Sequence, residues 1–116
     1  ARRENLALAI SIFVNPTQFG PTEDFSTYPR DIERDLALLK IEDVDLVFAP
    51  SVAEMYPQGM DTWVGVQRLS ERLEGEYRPG HLRGVATVVS KLLNIIRPDR
   101  VYFSIKRCLI SITLRI

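Results

Sequence analysis

The apolar pattern of this chain breaks sharply near its start. Residues 6–14 are almost all apolar, dense in Ile, Val and Phe after Ala9, and run straight into Asn15-Pro16-Thr17-Gln18. An unbroken apolar run of this kind predicts a strand covered on both faces. The proline pushes Asn15 into an extended backbone, so the strand is predicted to stop there. Residues 19–29 carry no apolar period and contain Gly20-Pro21, which predicts a loop. A helix is predicted over residues 29–41, with Pro29 at its first position, Asp31 and Glu33 in its first turn, and Ile32, Leu36 and Leu39 as one buried stripe.

The same reading gives a second short buried strand at residues 45–49, stopped by Pro50. Ser51 and Glu54 have the spacing of a capping box and predict a short helix. Residues 62–67 alternate like a strand, and residues 69–74 read as a short helix ended by Gly75. The longest helix is predicted over residues 84–96, with Val85, Val88, Val89, Leu92 and Ile96 on one face and Ala86, Leu93 and Ile95 widening it. Pro98 ends it, and residues 101–103 begin another strand. Strands alternating with helices predict an α/β domain with a parallel sheet.

Composition narrows the class. At 116 residues, 46% hydrophobic and 26% charged, the chain has the make-up of one soluble domain. Fifteen basic and fifteen acidic residues cancel, which argues against a nucleic-acid or membrane-surface partner. Cys108 is the only cysteine, so no internal disulfide or cysteine-based zinc cluster is expected, and it is read as an inert thiol in a reducing cytoplasm. No apolar run approaches the ~20 residues of a membrane span. The first residues, "ARREN", lack the layout of a signal peptide and a starting Met, which predicts a fragment or a processed chain.

Two constellations carry candidate chemistry. In open α/β sheets ligands gather beyond the carboxyl ends of strands, where Asn15 and Gln18 are expected. A carboxamide offers a donor and an acceptor without net charge, which suits a carboxylate or hydroxyl; the same residues also suit a simple turn cap. The second constellation is "EYRPGHLRGVATVV", residues 76–89. Arg78, His81 and Arg83 crowd a Pro-Gly turn before a helix expected to open at Gly84 and Val85, an arrangement suited to an anion; the alternative is a solvated loop paired with Glu74 and Glu76. His81 is the only histidine, which leaves it an orienting role rather than a metal site. Glu23 and Asp24 match no metal-ligand spacing, and no metal site is expected. Neither a Walker-type loop nor a GxGxxG occurs.

The blocks "SIFVNPTQFGPTEDFSTYPR", "LVFAPSVAEMYP" and "RPGHLRGVATVVSKLLNIIRPDRVYF" closely resemble the pantothenate synthetase family, in order and almost without gaps from about Ala1 to Phe103. The resemblance implies a Rossmann-like nucleotidyltransferase domain and a cytoplasmic, usually homodimeric ligase that condenses pantoate with β-alanine using ATP and Mg²⁺. Pantoate is adenylated first, releasing pyrophosphate; the β-alanine amine then displaces AMP. Matched position by position, the resemblance implies that Gln18 binds pantoate and that Asn15 contacts substrate or nucleotide. It likewise implies that Phe13, Val85, Val88 and Val89 wall the pantoate pocket, and that residues 19–29 form a mobile loop over it. Arg78 and His81 fall in a supporting loop, and Lys106 aligns with the family's catalytic lysine.

The chain also departs from the family pattern. The family's HxGH histidines, which bind ATP phosphates, have no counterpart here, and Ile110 stands where a second pantoate-binding glutamine is expected. Residues 1–103 therefore read as the central part of the catalytic domain and residues 104–116, "SIKRCLISITLRI", as a divergent tail of frameshifted or unrelated origin. The expectation is an inactive piece of a pantoate–β-alanine ligase. Two rival readings are a non-catalytic fragment that keeps the pantoate pocket, and a related nucleotidyltransferase acting on another small acid.

Overall fold

The computed structural model describes residues 1–20, 22–67, 80–103 and 113–114. Along the chain run β1 (Ala9–Ser11), α1 (Ile32–Ile41), β2 (Leu46–Phe48), α2 (Val52–Met55), α3 (His81–Ile96), β3 (Val101–Tyr102) and β4 (Thr113–Leu114). Short 3-10 turns at Arg2–Glu4 and Pro16–Gln18 flank β1. The chain separates into two compact units, one of Ala1–Val14, Pro29–Pro50 and Ile96–Ile116, the other of Asn15–Tyr28 and Ser51–Ile95.

The first unit holds the sheet, in strand order β2-β1-β4-β3. The expected parallel pairing holds for β1 and β2, where Ala9 faces Leu46 and Ser11 faces Phe48. β4 runs antiparallel to both β1 and β3, a departure from an all-parallel sheet. The two-sided burial predicted for the apolar run is confined to its middle: Leu8 and Ala9 are buried, whereas Leu6 is 85% exposed. β2 is a sheet edge, and Leu46 on it is exposed. Asp45 ties the approach to both strands. Its carboxylate accepts the Leu8 N–H at 2.7 Å and pairs with Arg2. That backbone bond, helped by Arg2, holds its acid below the usual carboxylate range.

α1 starts two to three residues later than predicted, because Asp31 is its N-cap: the Asp31 carboxylate accepts the Arg34 N–H at 3.0 Å. The helix ends at Ile41 with Glu42 as its C-cap, and the next residue, Asp43, takes a left-handed φ of 53°. Its expected stripe is not buried: Ile32 and Leu36 are each 43% exposed. Leu38 and Ile41 lie off that stripe, so the apolar surface spreads around the helix rather than forming one face.

The second unit holds α2, α3 and the loop after Gln18. Ser51 and Glu54 form the predicted capping box, with the Ser51 hydroxyl accepting the Glu54 N–H and the Glu54 carboxylate accepting the Ser51 N–H. α3 begins at His81 rather than Gly84, entered through Gly80 at φ 80°, a left-handed backbone that glycine adopts without a Cβ clash. Its buried residues are His81, Gly84, Thr87, Val88 and Leu92. The buried face is therefore rotated away from the predicted one: Val85 and Val89 are half-buried, and Ile95 is exposed. The rotation brings small residues inward, and Gly84 is where the chain comes closest.

Residues 62–66 form no strand. Val64 gives its N–H to the Thr87 hydroxyl at 3.0 Å, and that hydroxyl bonds the Arg83 carbonyl at 2.7 Å, so this segment is tied to a helix side chain instead of a ladder. The helix predicted at residues 69–74 lies outside the described residues.

Candidate functional site

The site is built from the turn that ends the oily run. Asn15 is the N-cap of the Pro16–Gln18 turn: its Oδ1 accepts the Thr17 N–H at 3.2 Å. Pro16 suits the first position of that turn, since its φ is preset and no N–H is needed there. Asn15 and Gln18 are both buried, at 5% and 8% exposure, in a segment that a plain solvent turn would leave open.

Every pole of the Asn15 carboxamide is engaged by protein. Beside the Thr17 N–H, its Oδ1 accepts the Thr17 hydroxyl and the Tyr56 hydroxyl, each at 2.8 Å. Its Nδ2 donates to Gln18 Oε1 at 2.9 Å and to the Gly84 carbonyl at 3.2 Å. An amide has two N–H donors and two acceptor lone pairs, so two partners take up the donors and three donors converge on the oxygen. The turn-cap reading thus describes Asn15, and the same side chain also reaches Gln18 and α3.

His81 secures the turn from the other side. Its Nδ1 lies 3.0 Å from the Gln18 carbonyl, which only accepts, so Nδ1 carries the proton of this bond. The ring is 7% exposed. His81 therefore belongs to the first turn of α3 rather than to the preceding loop, and it holds the backbone of the residue whose side chain Asn15 holds.

Tyr56 closes the cluster. Its hydroxyl lies 3.5 Å from the Thr17 hydroxyl as well as bonding Asn15, and Lys91 Nζ stands 5.4 Å from its ring centroid. Lys91 also donates to the Met55 carbonyl. Burial pushes the Tyr56 phenol above its ordinary value, with its hydrogen bonds to Thr17 and Asn15 opposing. The hydroxyl is thus kept protonated as a donor. Tyr56 and Thr17 were not singled out from sequence; their partners lie across tens of residues, and neither sits in a spacing that carries chemistry by itself.

The other predicted residues divide clearly. Val88, at 2% exposure, belongs to the buried face of α3, and Val85 and Val89 flank it half-buried. Phe13 is half-buried in the sheet-bearing unit. Arg78, Lys106 and Cys108 lie outside the described residues. The anion site expected at the helix opening does not form at Gly84. Its N–H is committed to the Gly80 carbonyl at 3.0 Å, because the helix starts three residues earlier than predicted. Arg83 stacks over Trp63, 4.9 Å from the ring centroid.

In the loop after Gln18, Glu23 and Asp24 organise turns. Glu23 accepts the Gly20 N–H at 2.6 Å. Asp24 accepts the Ser26 hydroxyl and the N–H groups of Ser26 and Thr27, which hold its acid below the usual range, the Ser26 hydroxyl most strongly. Phe19 packs edge-on against Phe25 and Tyr28, with centroids 5.2 and 5.6 Å away. Among the described residues, no group of three or more His, Cys, Asp or Glu side chains is placed to hold a metal ion, and no helix is long and apolar enough to cross a membrane.

Comparison with known proteins gives this chain a family. The family profile described as pantoate-beta-alanine ligase matches residues 1–113. The chain belongs to that family. The pantothenate synthetase of Roseiflexus castenholzii is 62% identical over 106 residues, which are 91% of this chain and 38% of that protein. That of Chloroflexus aurantiacus is 63% identical over the same shares. The chain thus spans about 38% of the length of these relatives.

The fold agrees as well. The crystal structure of pantothenate synthetase from Thermus thermophilus matches with a TM-score of 0.85 and 56% identity, over 88% of this chain and 37% of that one. The ligase from Francisella tularensis, solved in complex with beta-gamma ATP and beta-alanine, matches with a TM-score of 0.80 and 43% identity, over 85% of this chain and 38% of that one. This member of the pantoate-beta-alanine ligase family therefore carries part of a nucleotidyltransferase-type α/β fold.

Proposed function

We propose that this chain supplies the acid-binding part of an ATP-dependent ligase that joins pantoate to β-alanine. In that reaction the pantoate carboxylate attacks the α-phosphorus of ATP, giving pantoyl-adenylate and pyrophosphate. The β-alanine amine then attacks the acyl carbon and AMP leaves. Gln18 meets an oxygen of pantoate, and Phe13, Val85, Val88 and Val89 wall the gem-dimethyl end. His81 and Asn15 hold the Gln18 turn, Arg78 has a supporting role, and Lys106 is the catalytic lysine. The protein acts in the cytoplasm as a homodimer. Mg²⁺ would accompany the ATP phosphates; among the described residues no group of three or more His, Cys, Asp or Glu side chains is placed to hold it.

The observation that carries this reading is the buried Asn15–Gln18 carboxamide pair at 2.9 Å, within a family whose relatives are named for this ligation. A neutral, fixed amide binds a small carboxylic acid without adding charge to the site, and a prepositioned donor lowers the ordering cost of binding. Two catalytic effects follow for the full reaction: the acid is held for in-line attack, and its acyl carbon is then presented to the amine away from water.

Titration calorimetry of the chain with pantoate tests the proposal. Saturable heat at millimolar pantoate, lost in Gln18→Ala while the circular dichroism spectrum is kept, is the expected result. An absence of saturable heat in the unaltered chain, or equal heat in Gln18→Ala, rejects it.

A further inference from the structure

The single-turn helix α2 is held at its two ends by different means. Its start is closed locally, by the Ser51–Glu54 capping box. Its end is closed from a distance. A helix leaves its last carbonyls without partners, and one turn is too short to persist on its own hydrogen bonds. The Val52 carbonyl accepts the Tyr56 N–H at 2.7 Å. The Met55 carbonyl accepts the Lys91 ammonium at 2.5 Å, from α3 and 36 positions along the chain. Lys91 is half-buried and forms no ion pair among the described residues. Its charge is directed instead at that carbonyl and at the face of the Tyr56 ring, 5.4 Å from Nζ to the centroid.

These contacts close a ring. Tyr56 is the C-cap of α2, and its hydroxyl donates to Asn15 Oδ1 at 2.8 Å. The nitrogen of the same Asn15 amide donates to the Gly84 carbonyl at 3.2 Å. Gly84 and Lys91 both belong to α3, and residues 84 and 91 lie about two turns apart on one side of it. Asn15 is thus tied to α3 twice, directly through its nitrogen and, from its oxygen, by way of Tyr56 and Lys91. The whole ring lies within one compact unit.

We infer that Lys91 is a positioning residue of the candidate site: it fixes the end of α2 so that the Tyr56 hydroxyl stands against Asn15, and thereby holds the turn that carries Gln18. The inference rests on the reading that this turn meets pantoate, and it does not depend on which Gln18 atom does so. Lys91 acts through Tyr56. The role asks for a long side chain that ends in a charged donor, since the target is a carbonyl beside an aromatic face. Methionine keeps much of the stem and supplies neither donor nor charge, whereas arginine supplies both.

NMR of lysine ammonium and asparagine amide protons in the full 116-residue chain, combined with pantoate titration, tests the role. In the unaltered chain the Lys91 ammonium is expected to exchange its protons at least about fivefold more slowly than that of the exposed Lys40. Lys91→Met should raise Asn15 side-chain exchange at least about threefold and weaken pantoate binding about fivefold, with the Gly84 backbone amide unchanged. Lys91→Arg should bring both back to within about twofold of the unaltered chain. Tyr56→Phe should show the losses of Lys91→Met, and adding Lys91→Met to it should change either quantity by less than about twofold. A lysine that only stabilised the fold would give additive losses in that double variant.

Ammonium exchange at Lys91 as fast as at Lys40 overturns the inference without any variant, so a misfolded Lys91→Met protein does not leave it undecided. Unchanged Asn15 exchange in folded Lys91→Met, additive losses in the double variant, or no recovery in Lys91→Arg each overturn it as well. If the unaltered chain binds no pantoate, the proposed function falls, while the ammonium and amide measurements still decide whether Lys91 positions Asn15.

Discussion

Gly84 and Thr17 approach so closely that a methyl group on the glycine would stand 2.6 Å from the threonine carbonyl oxygen and 2.7 Å from its hydroxyl. This is where α3 meets the turn that carries Asn15 and Gln18, and only a residue without a side chain permits it. In a solvent-exposed helix, Gly→Ala stabilises by up to ~1 kcal/mol. Here the overlap is with backbone, which cannot swing aside, so the steric term wins. Gly84→Ala is expected to lower unfolding stability by roughly 1–3 kcal/mol, read from urea midpoints, and to disturb the Gln18 turn.

The same helix buries Leu92 at 2% exposure, and Val88 and Met55 are similarly covered in the same unit. Leu92→Ala removes most of a buried side chain and leaves a cavity, at a cost of about 2–5 kcal/mol. Thermal melts should show a large drop, whereas Ile95→Ala, at an exposed position of the same helix, should change little. Equal effects at the two positions would contradict the observed helix phase.

These two sites also show what a local reading can and cannot see. The capping box of Ser51 and Glu54 was legible because all of its partners lie within four residues. The extended backbone of Asn15 was legible because proline acts on its immediate neighbour, although β1 itself already ends at Ser11. The phase of α3 was not. Helical spacing placed the buried face on Val85, Val88, Val89, Leu92 and Ile96, of which Val88 and Leu92 are buried, but the close approach of Gly84 to Thr17 is a tertiary fact, and it turns small residues inward. Residues 62–66 alternate convincingly, yet the backbone N–H of Val64 finds a helix hydroxyl rather than a strand. Of the site, Asn15, Gln18 and His81 were visible as residues. Tyr56, 41 positions beyond Asn15, carries no local signal that links it to them.

Alkaline titration should expose Tyr56. Burial raises its phenol above the ordinary value of about 10, so the folded chain holds that proton more tightly than the unfolded chain does. The contribution is fully present below pH ~10 and is lost as pH rises through the higher folded value. Denaturation midpoints at about pH 9 and about pH 11 should therefore fall with pH, and fall less in Tyr56→Phe. An identical decline in both proteins would exclude Tyr56 as a source.

Glu54 provides the acidic counterpart. The Ser51 N–H, and next the Ser51 hydroxyl, hold its acid below the ordinary value. Its stabilising contribution is present above pH ~4.3 and disappears as pH falls through the lower folded value. A ¹³C titration of the Glu54 carboxyl should place its midpoint below that of an unpaired glutamate. Ser51→Ala should move the midpoint upward and cost about 1 kcal/mol through the lost cap.

The junction between Asn15 and Pro16 has a chemical consequence of its own. Asparagine side chains age chiefly by attack of the following backbone nitrogen on their carbonyl carbon, which ends in aspartate. Proline's nitrogen carries no hydrogen and is closed into a ring, so that nucleophile is absent after Asn15. Asn15, whose Nδ2 meets two acceptors, the Gln18 Oε1 and the Gly84 carbonyl, is thus followed by a residue that withholds that nucleophile. The proline that opens the turn thereby also protects the amide that caps it.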